Sequence, residues 1–337
     1  MMPPRQLLRG RIFHGEPVSP SPENAPTGVL MRIGIMAAGA VGGYFGGRLV
    51  AAGHDVIFFA RGKNLEALRR NGLKIESVKG DLHLPKVEAT DDPKTVAPVD
   101  IVLFAVKLWD TEAAGELIRP IVGPGTRVIT FQNGVDSVER LAPILGADNV
   151  VGGTAAIATV ISAPGVITHT SQFAQLRCGR VDGKPDDRLK AFTDAAKAAG
   201  IDITLTDTIN PDRWKKFVFL AALSGTTGAT RVSLGPILAD PDMRAMFEGA
   251  MQEVIAVGRA SGVRLPDDFF AERMKFAEAS PPGFKASLLH DLERGNRLEL
   301  DWLAGRVVAL GRELGVPVPV DTAIYTVLKP HRMGRGA

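Results

Sequence analysis

The chain is poor in cysteine: Cys178 is the only one among 337 residues. No intrachain disulfide can form, which fits a reducing, cytoplasmic setting. Without a partner, Cys178 reads as a small, inert packing residue. There is no apolar run of the roughly 18 residues that a membrane span needs. Neither charge sign dominates: 40 Lys and Arg against 37 Asp and Glu leave a formal +3, too small and too dispersed to argue for nucleic acid. No His or Cys pair has metal-ligand spacing, so no metal is expected. No internal repeat is evident. What remains is an ordinary globular composition, 45% hydrophobic and 23% charged, long enough for two domains with cores of their own.

Residues 1–30 are proline-rich and show no helix or strand period. They carry arginines at 5, 9 and 11 but no apolar centre of the kind a secretory signal has. They are expected to be a disordered or artefactual extension ahead of a fold that starts at Met31. From there the pattern sharpens: an apolar strand (32–36), a small-residue turn Ala37-Ala38-Gly39-Ala40-Val41-Gly42, a helix (41–52) and a second apolar strand (55–59). Strand, glycine turn, helix and strand within about 30 residues form the phosphate-binding unit of a dinucleotide fold. Gly39 would let backbone approach a pyrophosphate, and the helix N-terminus would offer it unpaired N–H groups. Gly42, Gly43, Gly46 and Gly47 leave the helix a flat face for the sheet. The first position of the glycine pattern is Ala37, which requires a negative φ or a shifted loop there.

An NAD site wants a carboxylate about 20 residues on, at the end of the second strand. This chain has Ala60-Arg61-Gly62-Lys63 instead. Two cations and no acid suit a 2′-phosphate, with Arg61 able to bind it bidentately, although a solvated basic loop has the same composition. The expectation is NADP(H) rather than NAD(H).

Downstream, residues 64–71 read as a helix and 73–87 as a hairpin carried on the third strand. Strands are expected at 100–106, 127–131 and 150–156, a small hairpin around Pro164-Gly165 over 157–179, a helix at 186–200 and a strand at 201–206. Lys107 and Asn133 each follow a central strand. Alone, the first reads as a strand-end cation and the second as an Asn-Gly turn residue. Together they stand on the edge where open α/β sheets bind ligands. Past Asn210-Pro211 only helices are expected: 212–227, 242–261, 266–277, 284–293, 297–314 and 321–329. The expected architecture is α/β, an N-terminal Rossmann-like doubly wound sheet (31–206) followed by an all-α C-terminal domain (207–332).

In the helical half, Lys216, Leu220 and Ser224 share one helix face by their spacing. A lysine opening an apolar helix is more often a snorkelling surface cation than a catalyst. Glu299 lies among Leu298, Leu300 and Trp302, where an acid is often just the wet edge of an amphipathic helix. Ser287 lies early on the helix before Gly295.

These residues, in this order over about 31–330, resemble the ketopantoate reductase (2-dehydropantoate 2-reductase) family, NADPH enzymes of pantothenate and coenzyme A biosynthesis. The resemblance implies that Ala38, Gly39, Ala40, Val41 and Gly42 hold the cofactor. Arg61 would meet its 2′-phosphate, Lys107 would contact it, and Asn133 would lie near the nicotinamide and substrate. Lys216, in the W-x-K pattern from Trp214, falls at the catalytic lysine. Ser287, Asp291 and Glu299 fall on the S-x-x-x-D and E-x-D segments, where serine and glutamate bind substrate and orient the lysine. Leu220 and Ser224 occupy positions where the family commonly carries asparagines. Ser224 is thus a substrate-contact position of altered chemistry, and a substrate less polar than ketopantoate stays open. The expected partner is a small 2-oxo acid, and a homodimer stays open as the assembly. Two other readings stay open: a related 2-oxo or 3-hydroxy acid (or opine) dehydrogenase, and a non-catalytic NADP-binding sensor.

Overall fold

The first strand, β1 (Arg32–Met36), has four of its five residues buried, and α1 (Ala40–Ala51) follows it. This pair is held at close range by glycine. A Cβ on Gly46 would stand 2.6 Å from Phe58, and one on Gly47 would stand 2.6 Å from Ile75. At Gly42 and Gly43 it would overlap the Ala37 carbonyl oxygen and the Ile167 side chain. The flat helix face expected from sequence is therefore a packing requirement at all four positions. Among the described residues the only non-glycine with positive φ is Arg231, so Ala37 meets the condition set for it. The computed structural model describes residues 30–335; the expected extension, apart from Leu30, lies outside the described residues.

After β2 (Asp55–Phe59) and α2 (Gly62–Asn71) come β3 (Leu73–Ser77), β4 (Leu82–Leu84) and β5 (Glu88–Thr90). Next are β6 (Ile101–Phe104), α3 (Thr111–Ile118), β7 (Arg127–Thr130), α4 (Ser137–Leu145), β8 (Val150–Ala163) and β9 (Val166–Gly179). The half closes with α5 (Asp187–Ala198) and β10 (Asp202–Leu205). The ten strands form one sheet, in which β5-β2-β1-β6-β7-β8 run parallel.

Two expectations about the sheet need correction. The β3–β4 hairpin is not carried on the third strand: short β5 takes that place beside β2, and β3 pairs with β9 across the sheet. The segment around Pro164-Gly165 is not a small closing hairpin but the turn of two 14-residue strands. The inner half of β8 is buried and that of β9 alternates between buried and exposed residues, whereas the outer half of β8 is largely exposed. Register shifts near Ile157 and Ile161 bend the pair. One edge of β9 then serves both β3 and β10.

The helical half begins with α6 (Ile209–Thr230), whose residues from Phe217 to Gly228 are buried apart from Leu220. Pro211 falls in its first turn, where a missing N–H costs nothing. Around α6 pack α7 (Leu234–Ala239), α8 (Pro241–Ala260), α9 (Phe269–Ala279), α10 (Ser287–Arg294), α11 (Ala304–Leu314) and α12 (Pro319–Leu328). The ring of Trp214 sits where a Cβ on Gly258 would be, so α6 and α8 cross closely. The short α7 had no period long enough to read. The expected single helix 297–314 is broken: a 3₁₀ turn (Leu300–Trp302) precedes α11, and Leu303 lies outside helical φ/ψ. At α12, Glu253 accepts the N–H groups of Val320 and Asp321, each at 2.8 Å. The Asp321 carboxyl beneath is wholly buried without a hydrogen-bond partner. Burial, and then Glu253, push its pKa well up.

Candidate active site

The strand ends place the first set of groups. Ala38 donates to the Phe59 carbonyl at 2.9 Å, fixing the glycine turn against β2. Gly39 caps α1, and the first N–H groups of the helix, at Ala40, Val41 and Gly42, have no intrahelical acceptor. A Cβ built on Gly39 meets no atom within 4 Å, and its φ of −81° suits any residue. Nothing in the protein itself requires glycine there; the open space lies at a helix N-terminus and fits a pyrophosphate. Asn64, which sequence reasoning missed, clamps this loop. Its amide donates to the Ala38 carbonyl at 2.8 Å and accepts from the Gly165 N–H at 2.9 Å.

Arg61 stands exposed at the start of α2, with Asp110 Oδ2 3.5 Å away. Asp110 was not singled out by sequence, and an incoming phosphate would compete with it for the guanidinium. Ala105, just before Lys107, donates its N–H to the Met36 carbonyl, so Lys107 leaves the sheet beside the glycine turn. Gln132, another residue missed, ties the loops after β6 and β7 together through Val106 O at 3.1 Å and Thr111 Oγ1 at 2.9 Å.

The second set crosses from the helical half. Lys216 Nζ donates to Asn133 Oδ1 at 3.1 Å. The Asn133 amide faces Glu299 Oε2 at 3.4 Å. Glu299, only 7% exposed, accepts the Leu108 N–H at 3.0 Å through Oε1. Lys107 Nζ lies 4.0 Å from Glu299 and 3.0 Å from Asp291. A continuous chain thus runs Lys216–Asn133–Glu299–Lys107–Asp291, alternating between the halves. Glu299 does not begin a helix as expected. It precedes the 3₁₀ turn, where its carboxylate is drawn to the Leu108 amide.

Burial pushes the Lys216 ammonium down to about 8, against the opposing pull of Glu299. Burial would also lower Lys107, but Glu299 and Asp291 outweigh it and the net direction is up. The two lysines therefore differ in role: one holds its proton loosely, the other is a fixed cation.

Not every candidate joins this chain. Ser287 is the first residue of α10 and exposed, four residues before Asp291 and so on the same helix face. Ser224 is 0% exposed and its hydroxyl has no partner. Leu220 is half-buried against the helical core. Cys178 is buried, and burial raises its thiol to about 12, as befits inert packing. The halves are further pinned by Arg213, 2% exposed, which donates to the Val135 carbonyl. Glu139 lies 3.6 Å from the same guanidinium.

Residues 33–183 match the ketopantoate reductase PanE/ApbA family, and residues 191–332 match that family's C-terminal part. The chain belongs to the ketopantoate reductase family. Membership makes it an NADP-dependent oxidoreductase. An uncharacterized oxidoreductase of Bacillus subtilis, YkpB, is 31% identical over 302 residues, covering 89% of this chain and 98% of the relative. A 2-dehydropantoate 2-reductase from Nostoc is 29% identical over 303 residues, covering 88% of this chain and 94% of its own. Among solved structures, a PanE/ApbA family ketopantoate reductase from Ralstonia eutropha superposes with a TM-score of 0.83 at 32% identity, covering 90% of this chain and 98% of that one. A D-mandelate dehydrogenase structure with NADH shares the fold, with a TM-score of 0.82 at 16% identity. No described helix is long and apolar enough to cross a membrane.

Proposed function

We propose that this protein reduces 2-dehydropantoate (ketopantoate) to pantoate with NADPH. The observation that carries this reading is the bridge from Lys216 through Asn133 to Glu299, made between two halves at the ligand edge of the sheet. When bound, NADPH supplies the hydride for C2 of the 2-oxo acid. The N–H groups from Ala38 to Gly42 would hold its pyrophosphate, Arg61 its 2′-phosphate, and Lys107 and Asn133 its nicotinamide end.

The chain's own residues handle the oxygen. A carbonyl oxygen gaining negative charge needs a proton within hydrogen-bond reach. Lys216, as ammonium, polarises that oxygen and donates the proton. A proton held at about 8 is loose enough to give and still present at neutral pH. Asn133 aims the ammonium, and Glu299 anchors Asn133 while favouring the charged lysine. The Ser287 hydroxyl takes the substrate carboxylate.

The test is NADPH consumption, followed by the cofactor's absorbance, with ketopantoate as substrate. Lys216→Ala is expected to lower kcat about 100-fold or more, the usual scale for a lost general acid. Lys215→Ala is the control and keeps activity. Near-wild-type kcat in Lys216→Ala removes the lysine from the mechanism.

One observation favours a second reading of the substrate. Below Lys216, Leu220 is apolar and the Ser224 hydroxyl is sealed in, so neither offers a polar group to a hydroxylated tail. A branched, non-hydroxylated 2-oxo acid giving a higher kcat/KM than ketopantoate would establish it.

A further inference from the structure

Glu299 needs outside support. It sits on a non-helical stretch between α10 and α11, and its role depends on meeting a partner from the other half. Beside it stands a stack of rings and cations drawn from both halves. Trp109, from the loop after β6, has Lys107 Nζ 5.6 Å from its ring centroid. The Arg297 guanidinium lies 4.7 Å from the same ring and 6.0 Å from the Trp302 ring. The two indoles are 6.5 Å apart, tilted by 52°. Arg140, from α4, lies 5.5 Å from the Trp302 ring.

Arg297 and Trp302 flank Glu299 on one side of the cleft; Trp109 and Arg140 flank Leu108 on the other. The Leu108 backbone is gripped on both sides: its N–H by Glu299 at 3.0 Å and its carbonyl by Arg140 at 2.8 Å. Arg140 is itself held by Glu112 through two bonds, at 2.6 and 2.7 Å. Among the described residues Arg297 has no carboxylate within salt-bridge range, so the aromatic faces are what its charge meets. Cations attract the faces of indoles, and do so more strongly when partly shielded from water, as these half-buried groups are.

We infer that Trp109, Arg297, Trp302 and Arg140 form a clasp across the cleft that positions Glu299 against Leu108 and Asn133. These four are positioning residues: they act on the reaction through Glu299. The inference rests on the reading of Lys216 as proton donor, since Glu299 matters to the reaction by way of that lysine.

The sign of one shift tests it. Glu299 is the charged neighbour that raises Lys216, against burial; Lys107 and Asp291 lie just beyond it. Deleting the Arg297 cation would, by its charge alone, make Lys216 easier to protonate. If the clasp works as inferred, Arg297→Ala lets Glu299 drift away and Lys216 becomes harder to protonate. Trp109→Ala, which changes no charge, moves it the same way.

The readout is the pH dependence of trace acetylation of Lys216 by acetic anhydride, measured by peptide mass spectrometry on the full chain without substrate. Arg297→Ala and Trp109→Ala should lower the labelling midpoint by about one pH unit, the scale for losing one nearby opposite charge. Glu299→Gln should give the same direction and set its limit. Arg297→Lys and Trp109→Phe, which keep a cation and a ring, should restore the wild-type midpoint. In turnover, kcat should fall about tenfold in the alanine variants with the KM for NADPH little changed. An unchanged or raised midpoint in Arg297→Ala, with the circular dichroism of the wild type, overturns the inference. So does a fall that the conservative variants share. Failure of the underlying reading is seen separately, as full turnover in Lys216→Ala, because the labelling experiment does not depend on turnover.

Discussion

Replacing Gly39 with alanine separates what the fold needs from what the ligand needs. Gly39 has φ −81° and ψ −168°, backbone open to any residue, and a Cβ there meets no protein atom within 4 Å. Two small effects on stability oppose each other. Alanine in place of glycine reduces the freedom of the unfolded chain, worth about 0.4–1 kcal/mol. It is also the poorer helix cap, at a cost of similar size. The Tm of Gly39→Ala should therefore lie within about 2 °C of wild type. The methyl would occupy the space offered to the pyrophosphate. Losing one backbone hydrogen bond to a charged group costs about 1.5–3 kcal/mol, or about 10- to 150-fold in Kd. Gly42→Ala is the counterpart, because its Cβ would overlap the Ala37 carbonyl oxygen and reach Ile35 at 2.8 Å. Overpacking of that kind costs about 1–3 kcal/mol and should lower Tm by several degrees. Titrating NADPH by its fluorescence, alongside thermal melts of both variants, gives the comparison. Wild-type NADPH affinity in Gly39→Ala would refute the assignment of this turn to the phosphates.

Other outcomes follow from charge and burial. With Lys216 as the proposed proton donor, kcat for reduction should fall as pH rises through about 8. The reverse oxidation, which needs the free amine, should gain over the same range in a pH–rate series. Arg61→Ala should raise the KM for NADPH about tenfold or more and leave that for NADH nearly unchanged, because only the first carries a 2′-phosphate; equal effects on both would remove Arg61 from that role. The Asp321 carboxyl is raised by burial and Glu253, so its folded form favours the proton more than the unfolded form does. Its contribution is fully present at low pH and is lost as pH rises toward the raised value. Asp321→Asn, whose amide can face Glu253 without titrating, should melt above wild type at pH 8, with the gap closing toward pH 5.

The parts legible in the sequence are those written in local patterns. The β1–α1–β2 unit was visible because apolar runs, small residues and glycines fall at fixed short offsets, and the four glycines of α1 each turn out to avoid an overlap. Lys107 and Asn133 could be placed on the ligand edge because strand ends are local. Pairing over distance was hidden. No local signal tells β3 to leave β2 and join β9, or a Pro-Gly turn to close strands of 14 residues. Glu299 was recognised but assigned to a helix, because its amphipathic surroundings favour one. The Leu108 amide, 191 positions earlier in the chain, overrides that preference. Trp109 and Trp302 carried a signal, each lying within three residues of a candidate site residue, yet their meeting across the cleft is a tertiary fact. Asn64 carried none: an asparagine in the first turn of a helix is ordinary, and its two partners are far from it in the chain.

That asparagine ties the nucleotide loop to the tip of a hairpin that the ribosome makes 101 residues later. Until that tip arrives, the Ala38 carbonyl has its clamp but the clamp has no far anchor. An isolated βαβ module cut before the hairpin would therefore lack the far anchor of its glycine turn. A truncated chain ending at residue 150 would keep every element of the glycine unit and still bind nucleotide poorly. The link is a non-local contact, one that can form only once a loop of 101 residues has closed.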